Sequence, residues 1–532
     1  MTRFFLPLVA VTLLMSFFGL GSVTLFDVDE AVFSQATKEM VGSGDWITPT
    51  YNGENRYDKP ILFYWLMGAS YKVFGINEFG ARFPSALSGF LLCMALFFFV
   101  RHFHDRERAF YAALTLPLSL YFLVYSHAAV TDMALTLFVA LSLFSFFLSL
   151  QPGEGAGRYI YGLYVFSALA FLTKGLIGIL FPFGIAVVYL LFTEGIKGMK
   201  RIFSATGMLL FLLLSAPWYV VQLKINGSEF IQQFFIKHHF RRYTGVISGH
   251  KGPLYYYIPV LLIGLLPWVA FLPGGIREAL KDSHKLRETG NRSAEENSSP
   301  ITRSPSLNFF AFTWFAFVFV FFSLSTTKLP NYILPAIPAA CILVSAGMAE
   351  KGTWRKYANA GIAVIMVLIG VAFLISEKYL VKFGISDTGW VLPAGLAAFA
   401  VALICLYAAF TEKTLYGFIS VLMVTFLLLL SVKALPLANR QLQGTLHKYS
   451  LFARERLERE EKLIVYGINH PSIVFYSDRR IVRVGNRDEL KPLLAGGRRL
   501  LLITKAKEVT GLTQSGFHLL EEDGRYAILE RQ

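Results

Sequence analysis

The stretch "LFDVDEAVFSQATKEM" sets Asp27, Asp29 and Glu30 within four positions of one another, directly after a long apolar run. A carboxylate within hydrogen-bond reach of a hydroxyl can take its proton as the oxygen attacks. Acids are also favoured at a helix N-terminus by the dipole there, and chemistry alone does not choose among the three. Asp132 opens a second apolar run, "DMALTLFVALSLF". A carboxylate there is costly unless paired or solvated, so it reads as a functional acid or as a solvated helix cap. The cations lie at similar places. Lys174 in "LTKG" ends an apolar run, where it can snorkel to an interface or bind phosphate. "IKHHFRRYTG" holds His238, His239, Arg241 and Arg242. Arginine's planar fork suits phosphate; a basic loop facing anionic lipid is the plainer reading. Neighbouring histidines cannot both point one way on a helix, so at most one is a ligand. "RYDKP" adds Asp58 and Lys59, and "TTKLPNYILP" adds Lys328 and Tyr332, the tyrosine equally at home in an interfacial belt.

The elements that must hold these residues are apolar. Of 532 residues, 55% are hydrophobic and only 16% charged, against about 25% charged in soluble proteins. The runs are ~20 residues long, enough to cross a bilayer as a helix, and they do not alternate as barrel strands do. Thirteen spans are expected between residues 4 and 434, among them 4–26, 109–126, 158–173, 176–193, 255–273 and 415–434. The first is read as a retained helix, since no clear small-x-small cleavage site precedes Asp27.

Charge then orients the chain. With the N-terminus in the cytoplasm, the inner loops carry seventeen Lys and Arg and the short outer loops four, as positive-inside placement demands. The net charge of +15 is thereby absorbed by a membrane protein and calls for no nucleic acid. Cys93, Cys341 and Cys405 lie inside apolar runs without disulfide or metal spacing, as small core residues. Two long outer loops remain, 27–81 and 223–254. In the first, "EAVFSQATKEMVG" shows helical spacing, and "PILFYWLMGASYKVFG" is apolar but short for a span, so two interfacial helices are expected. An odd span count also puts residues 435–532 outside. Their β-like runs "KLIVYGI", "SIVFYS", "RIVRV" and "RRLLLIT", with a polar helix, predict a small α/β domain. The domains expected are thus 1–434, including both outer loops, and 435–532. Asp27 is explicable as a solvated flank.

The pattern "DVDEAVFSQATKEMVGSGDWITPTYNGENRYDKPILFYWLMGASYKVFG", followed by "EFGARFPSALSG", "TDMALTLF", "LTKG", "HHFRRYTG", "HKGPLYYYIPVLLIGLLPW" and "KLPNYILPAIPA", resembles the bacterial lipid-carrier-dependent glycosyltransferases. These are related to the protein O-mannosyltransferases and to 4-amino-4-deoxy-L-arabinose lipid A transferase. The resemblance covers most of the membrane region in order, and the C-terminal domain only in kind. It implies a polytopic α-helical GT-C fold with an outer active site in the bacterial cytoplasmic membrane. Asp29 matches the catalytic acid, with Glu30 as its partner and Asp132 in a supporting role. Lys59, Lys174, Arg242, Lys328 and Tyr332 fall where the lipid phosphate lies. Asp58 and His239 match a divalent metal pair, although Asp58 is one methylene shorter than the family's Glu. No nucleotide cofactor is expected. The implied donor is a sugar on undecaprenyl phosphate. The acceptor is an outer-leaflet glycolipid such as lipid A, or a protein Ser/Thr. A transporter would place its ionisable groups near the midplane, whereas these gather at one surface. A polysaccharide-binding assembly protein could use the same loops without catalysis.

Overall fold

The computed structural model describes residues 2–234, 252–295, 305–382, 387–411, 416–458, 461–494 and 499–531, without the side chains of Thr2 and 286–295. The chain divides into two compact units. One comprises Met1–Phe18, Asp58–Phe63 and Pro84–Ser431; the other comprises Gly19–Tyr57, Tyr64–Phe83 and Val432–Gln532. The first outer loop, expected within the 1–434 domain, therefore groups mostly with the C-terminal residues.

The first unit is helical. Among the described residues of the whole chain, eight helices are long and apolar enough to cross a membrane, and ten if each of two bent pairs counts as one span. Thirteen were expected. Three of the expected spans are helices shorter than eighteen residues, namely Thr2–Phe17, Ile160–Lys174 and Ile177–Thr193. Two more are broken rather than straight. Arg106–Thr115 and Leu120–Ser126 meet at 60°, with Pro117 between them. Proline offers no N–H and clashes with the preceding turn, and Ser119 restarts the helix by accepting from the Phe122 N–H at 3.2 Å. Tyr257–Gly264 and Trp268–Lys285 are bent by 113° about a break that holds Pro267. The last expected span does not stop at 434; Tyr416–Arg456 runs on as one 41-residue helix.

Packing here rests on aromatic rings and close backbones. Phe99 stacks on Phe144 at 4.0 Å and Phe147 on Phe310 at 4.6 Å. The buried indole N–H groups of Trp268 and Trp314 donate to the carbonyls of Leu118 and Pro335 at 3.0 and 2.8 Å, the partners such groups need away from water. A Cβ on Gly275 would lie 1.9 Å from the Leu343 carbonyl oxygen, and one on Gly347 2.0 Å from that of Phe271. Small residues thus let two helices touch backbone to backbone.

In the second unit, helix Asp29–Ser43 ends at Gly44, whose φ of 76° takes the left-handed turn open to glycine. A short hairpin pairs Thr50–Tyr51 with Glu54–Asn55. The two helices expected in the first outer loop form, as Asp29–Ser43 and Leu62–Phe74. The C-terminal part is a five-stranded sheet. Leu463–Tyr466 is central to a parallel trio, flanked by Ile481–Val484 and Leu500–Lys505, and Tyr526–Arg531 and His518–Glu522 complete it antiparallel. The α/β expectation holds, with one correction. "SIVFYS" is not a strand but the buried helix Ser472–Ser477. It lies in the crossover that two parallel neighbours require, and a short apolar run buried all round has no periodicity to mark it as a helix.

Candidate active site

Asp29 is the first residue of its helix and its side chain is exposed. Among the described residues nothing pairs with its carboxylate. Its two acidic neighbours differ. Glu30 is buried and takes both arms of the Arg82 guanidinium, Nε at 2.7 Å and Nη2 at 2.9 Å, together with the Phe26 N–H at 2.7 Å. Arg82 spends its remaining donors on the carbonyls of Leu20, Val23 and Thr24 at 2.7–3.0 Å. That geometry makes Glu30 a fixed anchor beneath the turn.

Asp27 is not a solvated flank either. Its side chain is 6% exposed. It accepts from the Ser472 N–H at 2.7 Å, the Ser472 hydroxyl at 2.6 Å and His470 Nδ1 at 3.0 Å. His470 Nε2 in turn faces the Tyr526 hydroxyl at 3.2 Å. Burial pushes the Tyr526 phenol up from its ordinary range, so it stays a neutral hydroxyl. These partners were beyond sequence reasoning because they lie more than 400 positions away along the chain.

In the first unit the structure brings together Asp132, Lys174 and Tyr332. Asp132 is buried at the start of Asp132–Ser149, and its Oδ1 accepts from Lys174 Nζ at 2.6 Å and from Asn331 Nδ2 at 2.9 Å. The solvated-cap reading of Asp132 fails, because the carboxylate is both desolvated and paired. Lys174 also sits 5.7 Å from the Tyr332 ring centre, within cation–π range. Asn331 was missed, although it stands in "KLPNYILP" beside the chosen tyrosine.

Lys328 departs from its expected place on a lipid phosphate. It is buried, and Nζ donates to the carbonyls of Phe322, Ser323 and Ser325 at 3.1, 2.7 and 2.9 Å. An ammonium has three protons, so all are spent on the open end of helix Leu307–Leu324, where a cation is favoured. Asp58 and Lys59 are half-buried, with Lys59 Nζ donating to the Asp58 carbonyl at 3.2 Å. Arg242 and His239 lie outside the described residues. Among the described residues no three His, Cys, Asp or Glu side chains converge on a cation site.

The family model for dolichyl-phosphate-mannose-protein mannosyltransferases matches residues 58–220. An undecaprenyl phosphate-α-4-amino-4-deoxy-L-arabinose arabinosyl transferase 2 of Pseudomonas fluorescens strain Pf0-1 is 30% identical over 421 residues, 75% of this chain and 72% of that protein. The protein of the same description from strain Pf-5 is 31% identical over 384 residues, 71% of this chain. That alignment spans only 62% of the relative's length. The crystal structure of ArnT from Cupriavidus metallidurans bound to undecaprenyl phosphate superposes with a TM-score of 0.82 over 99% of this chain and 98% of that one, at 23% identity. At that identity the likeness establishes the fold.

Proposed function

We propose a reaction from a settled premise: the chain belongs to the lipid-carrier-dependent glycosyltransferases, the superfamily of the protein O-mannosyltransferases and the 4-amino-4-deoxy-L-arabinose lipid A transferases. The reaction moves a sugar from undecaprenyl phosphate to an outer-leaflet acceptor, lipid A or a similar glycolipid. The active site and C-terminal region face the outer side of the cytoplasmic membrane, and the N-terminus faces the cytoplasm. Asp29 takes the acceptor hydroxyl proton. The freed oxygen attacks the anomeric carbon from the face opposite the carrier, the bond from that carbon to the phosphate oxygen breaks, and the configuration inverts. Negative charge grows on the departing phosphate, which cationic donors stabilise. Lys59 and Arg242 take that role, and Asp132 with Lys174 supports the site as a buried ion pair.

The observation that carries the assignment is the contrast among three acids. Asp27 and Glu30 are consumed by fixed donors, while Asp29 alone presents an exposed carboxylate. The relatives, undecaprenyl phosphate-α-4-amino-4-deoxy-L-arabinose arabinosyl transferases, support the donor. The mannosyltransferase family match supports a second acceptor class, protein Ser/Thr. The test is transfer of labelled sugar from a polyprenyl phosphate donor by the purified protein, to lipid A and to a Ser/Thr peptide in parallel. Asp29→Asn is expected to abolish transfer. Unchanged transfer by that variant removes the base assignment, and labelling of the peptide alone moves the acceptor to protein.

A further inference from the structure

Residues 23–27, which lead into Asp29, are held almost link by link by distant parts of their own unit. Thr24 exchanges three hydrogen bonds with the Asn439 amide, its N–H and hydroxyl reaching Oδ1 at 3.3 and 2.9 Å and its carbonyl accepting from Nδ2 at 2.9 Å. The Leu25 N–H donates to the Tyr476 hydroxyl at 2.7 Å, and that hydroxyl donates to Glu78 at 2.9 Å. Burial, with Glu78 adding to it, raises the Tyr476 phenol above its ordinary range, so the hydroxyl keeps its proton and serves both bonds. Asp27 is held by Ser472 and His470. Gln443, with its amide oriented to donate, adds a bond to Asp27 Oδ2 at 3.1 Å.

His470 and Ser472 stand in the loop and helix start after Leu463–Tyr466, the central strand of the parallel trio. This is the corner where open α/β sheets receive ligands, at the carboxyl end of the strand where the order reverses. Here a carboxylate of the same chain fills it.

We infer that the C-terminal region is a positioning clamp for the catalytic turn: Asn439, Ser472, His470 and Tyr476 fix residues 24–27 so that the Asp29 carboxylate is presented in one place. The inference rests on the reading of Asp29 as the base. It follows from the economy of the contacts. The grip falls on residues 24–27, Asp27 among them, and it leaves the reacting carboxylate untouched. Preorganisation of this kind acts on the chemical step, since a misplacement of about 1 Å can cost on the order of 10²-fold in rate. A donor that docks its prenyl chain and phosphate elsewhere gains nothing from it in binding.

The test uses the full chain in lipid nanodiscs. Ser472→Ala and Tyr476→Phe each delete one hydroxyl without altering shape, and Ser472→Thr restores the hydroxyl as the conservative rescue. For Ser472→Ala and Tyr476→Phe, kcat is expected to fall by about 10- to 100-fold. The donor KM should stay within twofold, and the thermal midpoint close to that of the unaltered protein. Ser472→Thr should recover most of the rate. A kcat that is unchanged, or that falls only in proportion to lost folded protein, overturns the clamp. So does a rise in KM at constant kcat. Asp29→Asn is assayed beside them. If it is inactive while Ser472→Ala and Tyr476→Phe run at full rate, the clamp alone fails. If Asp29→Asn is fully active, the base assignment fails and the clamp falls with it.

Discussion

Replacing Arg82 with Met should loosen the acidic turn before it disturbs the rest of the chain. Arg82 is 1% exposed and Glu30 5%. All five guanidinium protons are committed: two to Glu30 and three to the carbonyls of Leu20, Val23 and Thr24. Met fills a similar volume and donates nothing. Glu30 then keeps only the Phe26 N–H among the bonds described above, and removing one partner from a buried ion pair costs about 3–5 kcal/mol. The Thr24 carbonyl still has Asn439; those of Leu20 and Val23 lose their Arg82 donor, so the pair alone gives a lower bound. Since 1.36 kcal/mol is a factor of ten, local opening of residues 19–30 should become about 150- to 5,000-fold more frequent for a cost of about 3–5 kcal/mol. Hydrogen exchange followed by mass spectrometry in nanodiscs reads this directly at the Leu25 and Phe26 amides. The double variant Glu30→Gln with Arg82→Met removes the stranded charge and should regain part of the protection, a coupling that independent sites would not show. Exchange in Arg82→Met within threefold of the unaltered protein refutes the reasoning. So does a double variant no better protected than the single one.

Other expectations follow from the same contacts. Lys174→Met strands the buried Asp132 with Asn331 alone and should lower the thermal midpoint and transfer rate together; adding Asp132→Asn should restore the midpoint but not the rate. Lys328→Met should destabilise, since three carbonyls lose their donor at about 1–3 kcal/mol each. Its donor KM should stay unchanged, and a tenfold rise at constant stability would return Lys328 to the phosphate. Lys38 donates to Asp478 at 2.7 Å and holds that carboxyl below its usual range. A carboxyl lowered in the folded state adds stability above its unfolded pKa, about 3.9, and loses it as pH falls through the folded value. Lys38→Met should therefore lower the thermal midpoint by a constant amount between about pH 5 and 7, flatten its fall below about pH 4, and converge on the unaltered protein in acid.

The membrane fold was legible because hydrocarbon imposes one simple demand, an apolar run long enough to cross as a helix. What hydropathy could not supply was continuity. Pro117 and Pro267 lie at the two breaks that bend expected spans by 60° and 113°. No apolar count reports that, because both prolines lie inside runs that remain hydrophobic throughout. The strand assigned to "SIVFYS" failed for a related reason. All six residues are buried, so neither a two-residue nor a 3.6-residue period survives to be read. Its true state depends on the parallel pairing of 463–466 with 481–484, a fact about two other segments.

The site divides along the same line. Residue type and position were enough to nominate Asp132, because a carboxylate near an apolar run is costly unless paired or solvated; that its partner is Lys174, read from the sequence as an interfacial anchor or a phosphate contact, only the fold shows. Lys328 shows the limit of that logic. A cation beside a span can face a phosphate or a helix end, and only the three carbonyls at 2.7–3.1 Å decide which. The acids of "DVDEA" show it more sharply, since they share a type, a neighbourhood and a surface. What separates them is a serine and a histidine 445 and 443 positions from Asp27, and an arginine 52 positions from Glu30. A carboxylate already held by two or three donors has its lone pairs committed to fixed protons, and taking one more means breaking a bond the fold depends on. A carboxylate without such donors meets no such cost. The base proposed for this turn is the acid whose surroundings in three dimensions leave it uncommitted.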